Sequence, residues 1–248
     1  MPTLGIAIIT KNAAAHLNEC LLAAKWADQI VILDSGSSDQ TLEIAQSHQV
    51  AVHHTSDWPG FGIQKNRALA YLNTDWILAL DADEILTTAL TDSIRAAISN
   101  PTADIYQLAR LSNYCGRWIR HSGWQPDHLP RLFKRGCAQY SEDLVHERLL
   151  YSGAAPLLAG ELLHYSFDNL DDVLDKVNRY SSAGARQRLA KGEKSGLFKA
   201  IYKGLWAFLR TYVLQRGFLD GREGFILAVS NAEGTYYRYL KLMYLAEQ

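Results

Sequence analysis

Cysteine is scarce in this sequence. Its three residues, Cys20, Cys115 and Cys137, form an odd set with no C-x-x-C pair. That argues against a disulfide framework or a cysteine-based zinc site and fits a reducing compartment. Long apolar runs are missing too, and none approaches the ~18 residues of a spanning helix. Ahead of its first apolar stretch the N-terminus has no basic segment, and it reaches polar residues too soon for a signal peptide, so a cytoplasmic protein is expected. Two nucleotide fingerprints are lacking. Gly60-Phe-Gly62 is followed by Lys65 where a third glycine would stand, and there is no Walker loop. Both absences weigh against a dinucleotide-dependent dehydrogenase or a P-loop nucleotidase. Neither an internal repeat nor a flexible linker is evident.

What is present is the balance of a globular chain. Of 248 residues, 48% are hydrophobic and 21% charged, enough to bury a core. The net charge of −1 conceals a split: residues 1–175 carry 12 Lys and Arg against 21 Asp and Glu, while residues 176–248 carry 13 against 5. Eleven of the 26 aromatic residues also fall between Phe198 and Tyr244. A basic, aromatic tail behind an acidic front points to an anionic partner at one end.

The front alternates strands and helices. Leu4–Thr10, Gln29–Asp34, Val50–His54 and Trp76–Leu80 read as strands, the second and fourth as unbroken apolar runs suited to a sheet covered on both faces. Leu17, Leu21 and Ala24 recur at helical spacing, Asp39 can cap a helix reaching about Ser47, and a third helix runs from about Ile63 to Leu72. This order predicts right-handed crossovers and a doubly wound α/β sheet, with ligands bound beyond the carboxyl ends of the strands. After a helix near Thr91–Ser99 come strands at Ile105–Leu111, Arg131–Lys134 and Leu157–His164, and from Leu170 onward the chain reads as wholly helical. The expected division is a catalytic domain over 1–168 and a helical extension over 169–248.

Two strand ends carry carboxylates. Asp34-Ser-Gly-Ser-Ser-Asp39 follows one buried strand and opens a helix, either as a ligand loop or as a capped turn. Asp81-Ala-Asp83-Glu84 follows another. In extended backbone Asp81 and Asp83 share a side, and paired carboxylates there call for a hard cation such as Mg²⁺ or Mn²⁺ shared with a diphosphate.

Together, Ile9-Thr-Lys-Asn12, Asp34-Ser-Gly-Ser-Ser-Asp39, Gly62-Ile-Gln-Lys-Asn66 and Asp81-Ala-Asp83-Glu84 resemble the successive motifs of family 2 glycosyltransferases with the GT-A fold. The chain is also similar to bacterial lipopolysaccharide core β-glycosyltransferases of the β-1,4-glucosyltransferase type. Arg131-Leu-Phe-Lys-Arg, Val145-His-Glu147, His164-Tyr-Ser-Phe and Gly217-Phe-Leu-Asp-Gly221 carry that narrower likeness. The resemblance implies a Rossmann-like, mostly parallel sheet and a UDP-sugar donor. Thr10 and Asn12 would line the nucleotide pocket, Asp34 would meet the uracil or ribose, and Lys65 the nucleoside or its phosphates. Asp83 would be the main metal ligand, and Asp81 would bind the sugar-nucleotide directly or through the metal. His164 would complete the metal site, the alternative being a hydrogen-bonded core histidine. For the base of an inverting displacement, Glu147 stands at the family's acidic motif, although His146 replaces an acid there. Asp143 and Glu142 compete with it.

The acceptor side is less defined. Trp118, Trp124 and Asp127 could stack on and bind a sugar, with core packing an equal explanation for Trp118. Arg117, Arg120, Arg131 and Arg135 could meet phosphates. In the tail, Leu197, Ile201, Leu205, Phe208 and Tyr212 share one helical face and Lys199, Lys203 and Arg210 another, which suits an anionic membrane surface. Aromatic and aliphatic residues between the charges speak against nucleic acid. The resulting expectation is an inverting, metal-dependent transferase moving glucose from UDP-glucose to a lipid-linked glycan at the inner face of a bacterial inner membrane. A sugar nucleotidyltransferase and a non-catalytic sugar- or membrane-binding protein are the alternatives.

Overall fold

A computed structural model describes residues 1–143 and 147–247. The chain forms two compact units: residues 1–110 with 127–164, and residues 111–126 with 165–248.

The first unit opens with β1 (Leu4–Thr10), α1 (Ala14–Ala24), β2 (Gln29–Asp34), α2 (Thr41–Ser47), β3 (Ala51–His54), α3 (Phe61–Leu69) and β4 (Trp76–Asp81). Strands β3, β2, β1 and β4 lie side by side in that order and all run parallel, as the sequence pattern predicts. Both faces are covered. Leu4, Ile6 and Ile8 of β1 join α1 on one side, while Ala7 and Ile9 join Ala68 and Leu72, at and just beyond α3, on the other. Alternate residues of a strand point to opposite faces, so a continuous apolar run is what a sheet with helices on both sides requires. Each such fully buried Leu or Ile contributes roughly 1.5–3 kcal/mol.

Beyond β4 the pairing changes. The chain continues through β5 (Glu84–Leu86), α4 (Thr88–Ser99), β6 (from Ile105 to Tyr114), β7 (Arg117–Trp118), β8 (His128–Lys134), β9 (Ala138–Tyr140), β10 (Leu149–Tyr151) and β11 (Leu157–Phe167), of which β7 and the last residues of β6 and β11 fall in the second unit. The sheet extends from β4 through β8, β6 and β11 to β5, and β8 is antiparallel to both β4 and β6. A separate antiparallel pair joins β9 to β10. The parallel half sets the site: register pairs Thr10 with Asp34 and Ile9 with Asp81, so three strand ends arrive at one edge.

The second unit holds α5 (Leu170–Ala190), α6 (Leu197–Leu209) and α7 (Gly221–Ala246), with α5 and α6 both packed on α7. Small residues make the α6–α7 contact close: a side chain on Gly204 would meet Cβ of Tyr236 at 3.1 Å. The tail is helical over most of its length, as its pattern predicts, and is divided into separate helices. Gly192 ends α5 with φ +74°, a conformation glycine adopts freely, and Arg216 takes φ 56° between a π-helical turn over Arg210–Leu214 and a 3₁₀ turn over Gly217–Asp220. Asp220 is buried and accepts from the backbone N–H of Arg120 (3.1 Å) and His121 (3.0 Å) and from Ser122 Oγ (2.7 Å). That ties segment 111–126 to the helices.

Candidate active site

The loops after β1 and β2 are stitched together. Thr10 Oγ1 donates to Asp34 Oδ1 at 2.9 Å, and Asp34 Oδ2 accepts from the backbone N–H of Gly36 (3.0 Å) and Ser37 (2.9 Å). Burial opposes the charge of Asp34, but these bonds and one from Ser37 Oγ outweigh it and hold the carboxyl below its ordinary range. Asn12, at φ 52°, donates its N–H to Ser37 Oγ and accepts from the Ser38 N–H at 2.8 Å. Asp34 thus spends its oxygens organising the loop that Thr10 and Asn12 adjoin.

Helix α3 brings the next motif. A side chain on Gly62 would lie 1.9 Å from the Ser141 carbonyl oxygen, so only glycine lets this helix approach the segment before Glu147. Asn66 clamps β9 by donating to the Tyr140 carbonyl at 2.9 Å and accepting from its N–H at 2.8 Å. Gln64 donates to Ser35 Oγ and Thr55 Oγ1, joining the loops that follow β2 and β3. Lys65 Nζ lies 3.0 Å from Asp81 Oδ1 and 3.1 Å from Glu147 Oε1. Burial alone would lower the lysine's pKa, yet Asp81 raises it above the ordinary lysine value.

Asp81 is held from its other side by Arg131, whose guanidinium donates to Oδ2 at 2.6 Å and to Glu84 Oε1 at 3.1 Å. Glu84 is wholly buried and accepts from the Asp81 N–H at 2.9 Å. Burial pushes the Glu84 carboxyl up. It also opposes ionisation of Asp81, but there Arg131 and Lys65 prevail and drive the carboxyl well below the usual range. Arg131 is therefore no exposed phosphate contact, as its sequence position suggested. It is 5% exposed and neutralises two carboxylates.

Asp83 takes a different partner. Its Oδ2 lies 3.5 Å from His164 Nε2, and its side chain is 42% exposed. Asp81 and Asp83 do not converge on one another's partners, because a turn at residues 82–83 separates the strands that carry them. Among the described residues no group of three or more His, Cys, Asp or Glu side chains is placed to hold a metal ion. A single carboxylate nevertheless suits a cation whose remaining positions are filled by substrate phosphates, the usual manner of binding Mg²⁺, and the His164 imidazole stands beside it.

Of the base candidates, Glu147 joins the Lys65–Asp81 network, whereas Asp143 accepts from Ser141 Oγ at 2.8 Å with its side chain half exposed, and Glu142 is exposed. Val145 and His146 of the Val145-His-Glu147 motif lie outside the described residues. The motifs read from the sequence contain Glu84, Gln64 and Asn66 but gave none of the three a role. A third acid adjoining Asp83 and the polar run within α3 were the available signals. Trp124 packs with Tyr114 and Phe167, Trp118 meets the Tyr165 ring edge-on at 5.3 Å, and Asp127 accepts from Arg110 at 2.8 Å.

The family model for glycosyl transferase family 2 matches residues 5–149, more than half of the chain and all of the strand-end carboxylates. The chain belongs to glycosyltransferase family 2. As such it is an enzyme of glycosyl transfer, and the nucleotidyltransferase and non-catalytic alternatives give way. A lipopolysaccharide core biosynthesis glycosyltransferase, LpsC, of Rhizobium meliloti is 30% identical over 91% of this chain and 86% of that one. An uncharacterised glycosyltransferase of Rickettsia prowazekii is 28% identical over 95% of this chain and 85% of its own length. Among solved structures, S. aureus TarS 1–349 aligns over 99% of this chain and 92% of its own at 14% identity, with a TM-score of 0.49. Glucosyl-3-phosphoglycerate synthase of Mycobacterium tuberculosis, solved with Mn²⁺ and UDP-glucose, aligns over 45% of this chain and 44% of its own at 19% identity, with a TM-score of 0.39. The family 2 enzyme has the α/β, GT-A arrangement expected of its motifs, with a C-terminal helical extension.

Proposed function

We propose that this family 2 enzyme transfers a sugar, glucose in the favoured case, from a UDP-sugar to a hydroxyl of a lipid-linked glycan, with inversion at the anomeric carbon. The observation that carries the reading is the Lys65 ammonium, which joins Asp81 at the end of β4 to Glu147. A carboxylate suited to take a proton thereby stands beside the carboxylates suited to a sugar-nucleotide. The R. meliloti relative, named for lipopolysaccharide core biosynthesis, supports the acceptor class.

In this reading the loop organised by Asp34, with Thr10 and Asn12, receives the nucleoside. Asp81, its position fixed by Lys65 and Arg131, is assigned to the sugar-nucleotide. Asp83 and His164 would hold Mg²⁺ or Mn²⁺, which when bound supplies positive charge to the diphosphate oxygens. Glu147 accepts the proton of the acceptor hydroxyl as that oxygen attacks the anomeric carbon and the bond to the diphosphate breaks. Lys65 keeps the Glu147 side chain in place for that transfer.

The enzyme is proposed to work on an anionic membrane surface, at the cytoplasmic face of a bacterial inner membrane. No described helix is long and apolar enough to cross a membrane. Instead α6 turns an apolar face outward, with Phe198 88% and Leu205 63% exposed, while Ala200 and Gly204 are buried. At about 3.6 residues per turn, Lys199, Lys203 and Arg210 fall together along the border between these faces. Apolar area bordered by cations is what an interfacial helix presents to anionic lipid.

Incubation with a panel of nucleotide sugars and Mg²⁺ or Mn²⁺ tests the donor. UDP release from a UDP-sugar is the expected result. Pyrophosphate release from UTP and a sugar 1-phosphate, with no UDP-sugar consumed, would refute it.

A further inference from the structure

Seven acidic and basic side chains of the first unit follow one another with alternating charge, from Asp127 through Arg110, Glu84, Arg131, Asp81 and Lys65 to Glu147. The half nearest Glu147 belongs to the site described above. The far half has no role in it. There Arg110, in the middle of β6, donates its backbone N–H to the Asp127 carbonyl and its Nε to Asp127 Oδ2, both at 2.8 Å. Asp127, just ahead of β8, thereby fixes both the backbone and the guanidinium of Arg110.

Glu84 connects the two halves. Arg110 Nη1 lies 3.6 Å and Arg131 Nη2 3.1 Å from the same oxygen, Glu84 Oε1, while Oε2 accepts the Asp81 N–H. Two guanidinium groups repel one another, and they converge on one atom only where negative charge lies between them. Glu84 is wholly buried, where charges are screened least, so each cation limits how far the other is drawn toward that oxygen. Arg131 Nη2 has a second acceptor, Asp81 Oδ2 at 2.6 Å. With Arg110 absent, the pull of Glu84 on Arg131 goes unopposed, and the nitrogen shifts toward Glu84 and away from Asp81. A displacement of about 1 Å in a group that orients substrate can cost as much as 10²-fold in rate.

The geometry points to Arg110 as a positioning residue for glycosyl transfer: anchored by Asp127, it sets the Asp81 carboxylate through Glu84 and Arg131. The inference rests on the assignment of Asp81 to the sugar-nucleotide above. In it Asp127 holds Arg110 rather than an acceptor hydroxyl.

Hydrolysis of UDP-glucose in Mn²⁺, with KM and kcat measured separately, reads the effect. Arg110→Gln should raise KM roughly tenfold, as the loss of one charge-assisted bond implies, with kcat changed less than about twofold. Arg110→Lys keeps the charge and should recover part of the loss. Asp127→Asn retains the backbone bond and weakens the side-chain one, so it should give a smaller rise in KM even if Arg110→Gln fails to fold. In an Asp81→Asn background, Arg110→Gln should change KM by less than about twofold, because residues that act through one another are not additive. A general structural lesion would add its full effect there. Full additivity, or a KM unchanged in both Arg110→Gln and Asp127→Asn, overturns the inference while leaving the transferase reading intact. A wild type that consumes no UDP-sugar overturns that reading and the inference with it.

Discussion

Lys65 Nζ donates to Glu147 Oε1 at 3.1 Å across 82 residues of sequence. The same ammonium reaches Asp81, so a residue in the middle of α3 connects the end of the central strand to the candidate base. Two close approaches make this possible. Gly62 allows α3 to meet Ser141, and Asn66 fixes Tyr140 just ahead of it. The Gly62-Ile-Gln-Lys-Asn66 motif therefore acts through geometry as much as through charge.

Glu147→Gln keeps the side chain's size and its bond to Lys65 but removes the proton acceptor. Transfer to acceptor should fall by about 10²–10⁴-fold, with UDP-sugar affinity little changed in a binding titration. Asp143→Asn is the parallel variant and should retain most activity. Loss of transfer in Asp143→Asn alone would move the base to that residue.

Arg131→Gln leaves Asp81 and Glu84 facing each other without their shared cation. Removing one partner of a buried ion pair costs about 3–5 kcal/mol, so denaturant unfolding should show a loss of that order. Arg131→Lys retains charge without the fork and should fall between. A change below about 0.5 kcal/mol, ordinary for a surface site, would mean that the guanidinium is not neutralising the cluster.

The Asp34 carboxyl, depressed by its hydrogen bonds against the pull of burial, gives a pH signature. The folded state holds fewer protons than the unfolded chain between the lowered value and the ordinary one near ~4. Its stabilising effect is thus complete above that range and is lost as pH falls through the folded value. Asp34→Asn presents an amide where backbone donors already point and should cost ~1–3 kcal/mol near neutrality. Thermal melts across pH should show the gap between wild type and variant narrowing below about pH 4. A gap independent of pH would contradict the assignment.

Legibility differed between the two halves of the sheet. Strands β1, β2 and β4 are apolar on both faces, so length and flanking residues revealed them, and the carboxylates at their ends followed from strand order alone. Arg131 was harder. A charge within β8 reads as exposed until β8 is known to lie against β4, where Leu132 pairs with Leu78 and the guanidinium reaches Asp81. That pairing is a property of tertiary structure, with no local signal. The helical tail was read as helical throughout, but its interruption at Arg216 depends on a left-handed backbone that arginine rarely adopts, and the neighbouring Gly217 alone does not announce it. Asp220 within Gly217-Phe-Leu-Asp-Gly221 was visible as a motif, and its task of holding backbone N–H groups 99 and 100 residues earlier was not.

The outward face of α6 should confer membrane binding. In flotation with phosphatidylcholine–phosphatidylglycerol vesicles the wild type should float, and raised salt should weaken but not abolish this, because apolar burial is not screened. The pair Phe198→Ser and Leu205→Ser should remove the salt-resistant part. A wild type that never floats, and whose dimer is broken by those two substitutions, would make the face an interface between copies.

The carboxyl edge of the parallel strands is expected to bind and split a UDP-sugar. Release of UDP from UDP-glucose in Mn²⁺, compared between the wild type and Asp83→Ala at matched melting temperature, tests it most directly. The wild type should release UDP in a reaction that EDTA stops and Mn²⁺ restores, with a loss in Asp83→Ala that lies mainly in kcat. Equal release by the two proteins, or full release in EDTA, would contradict it.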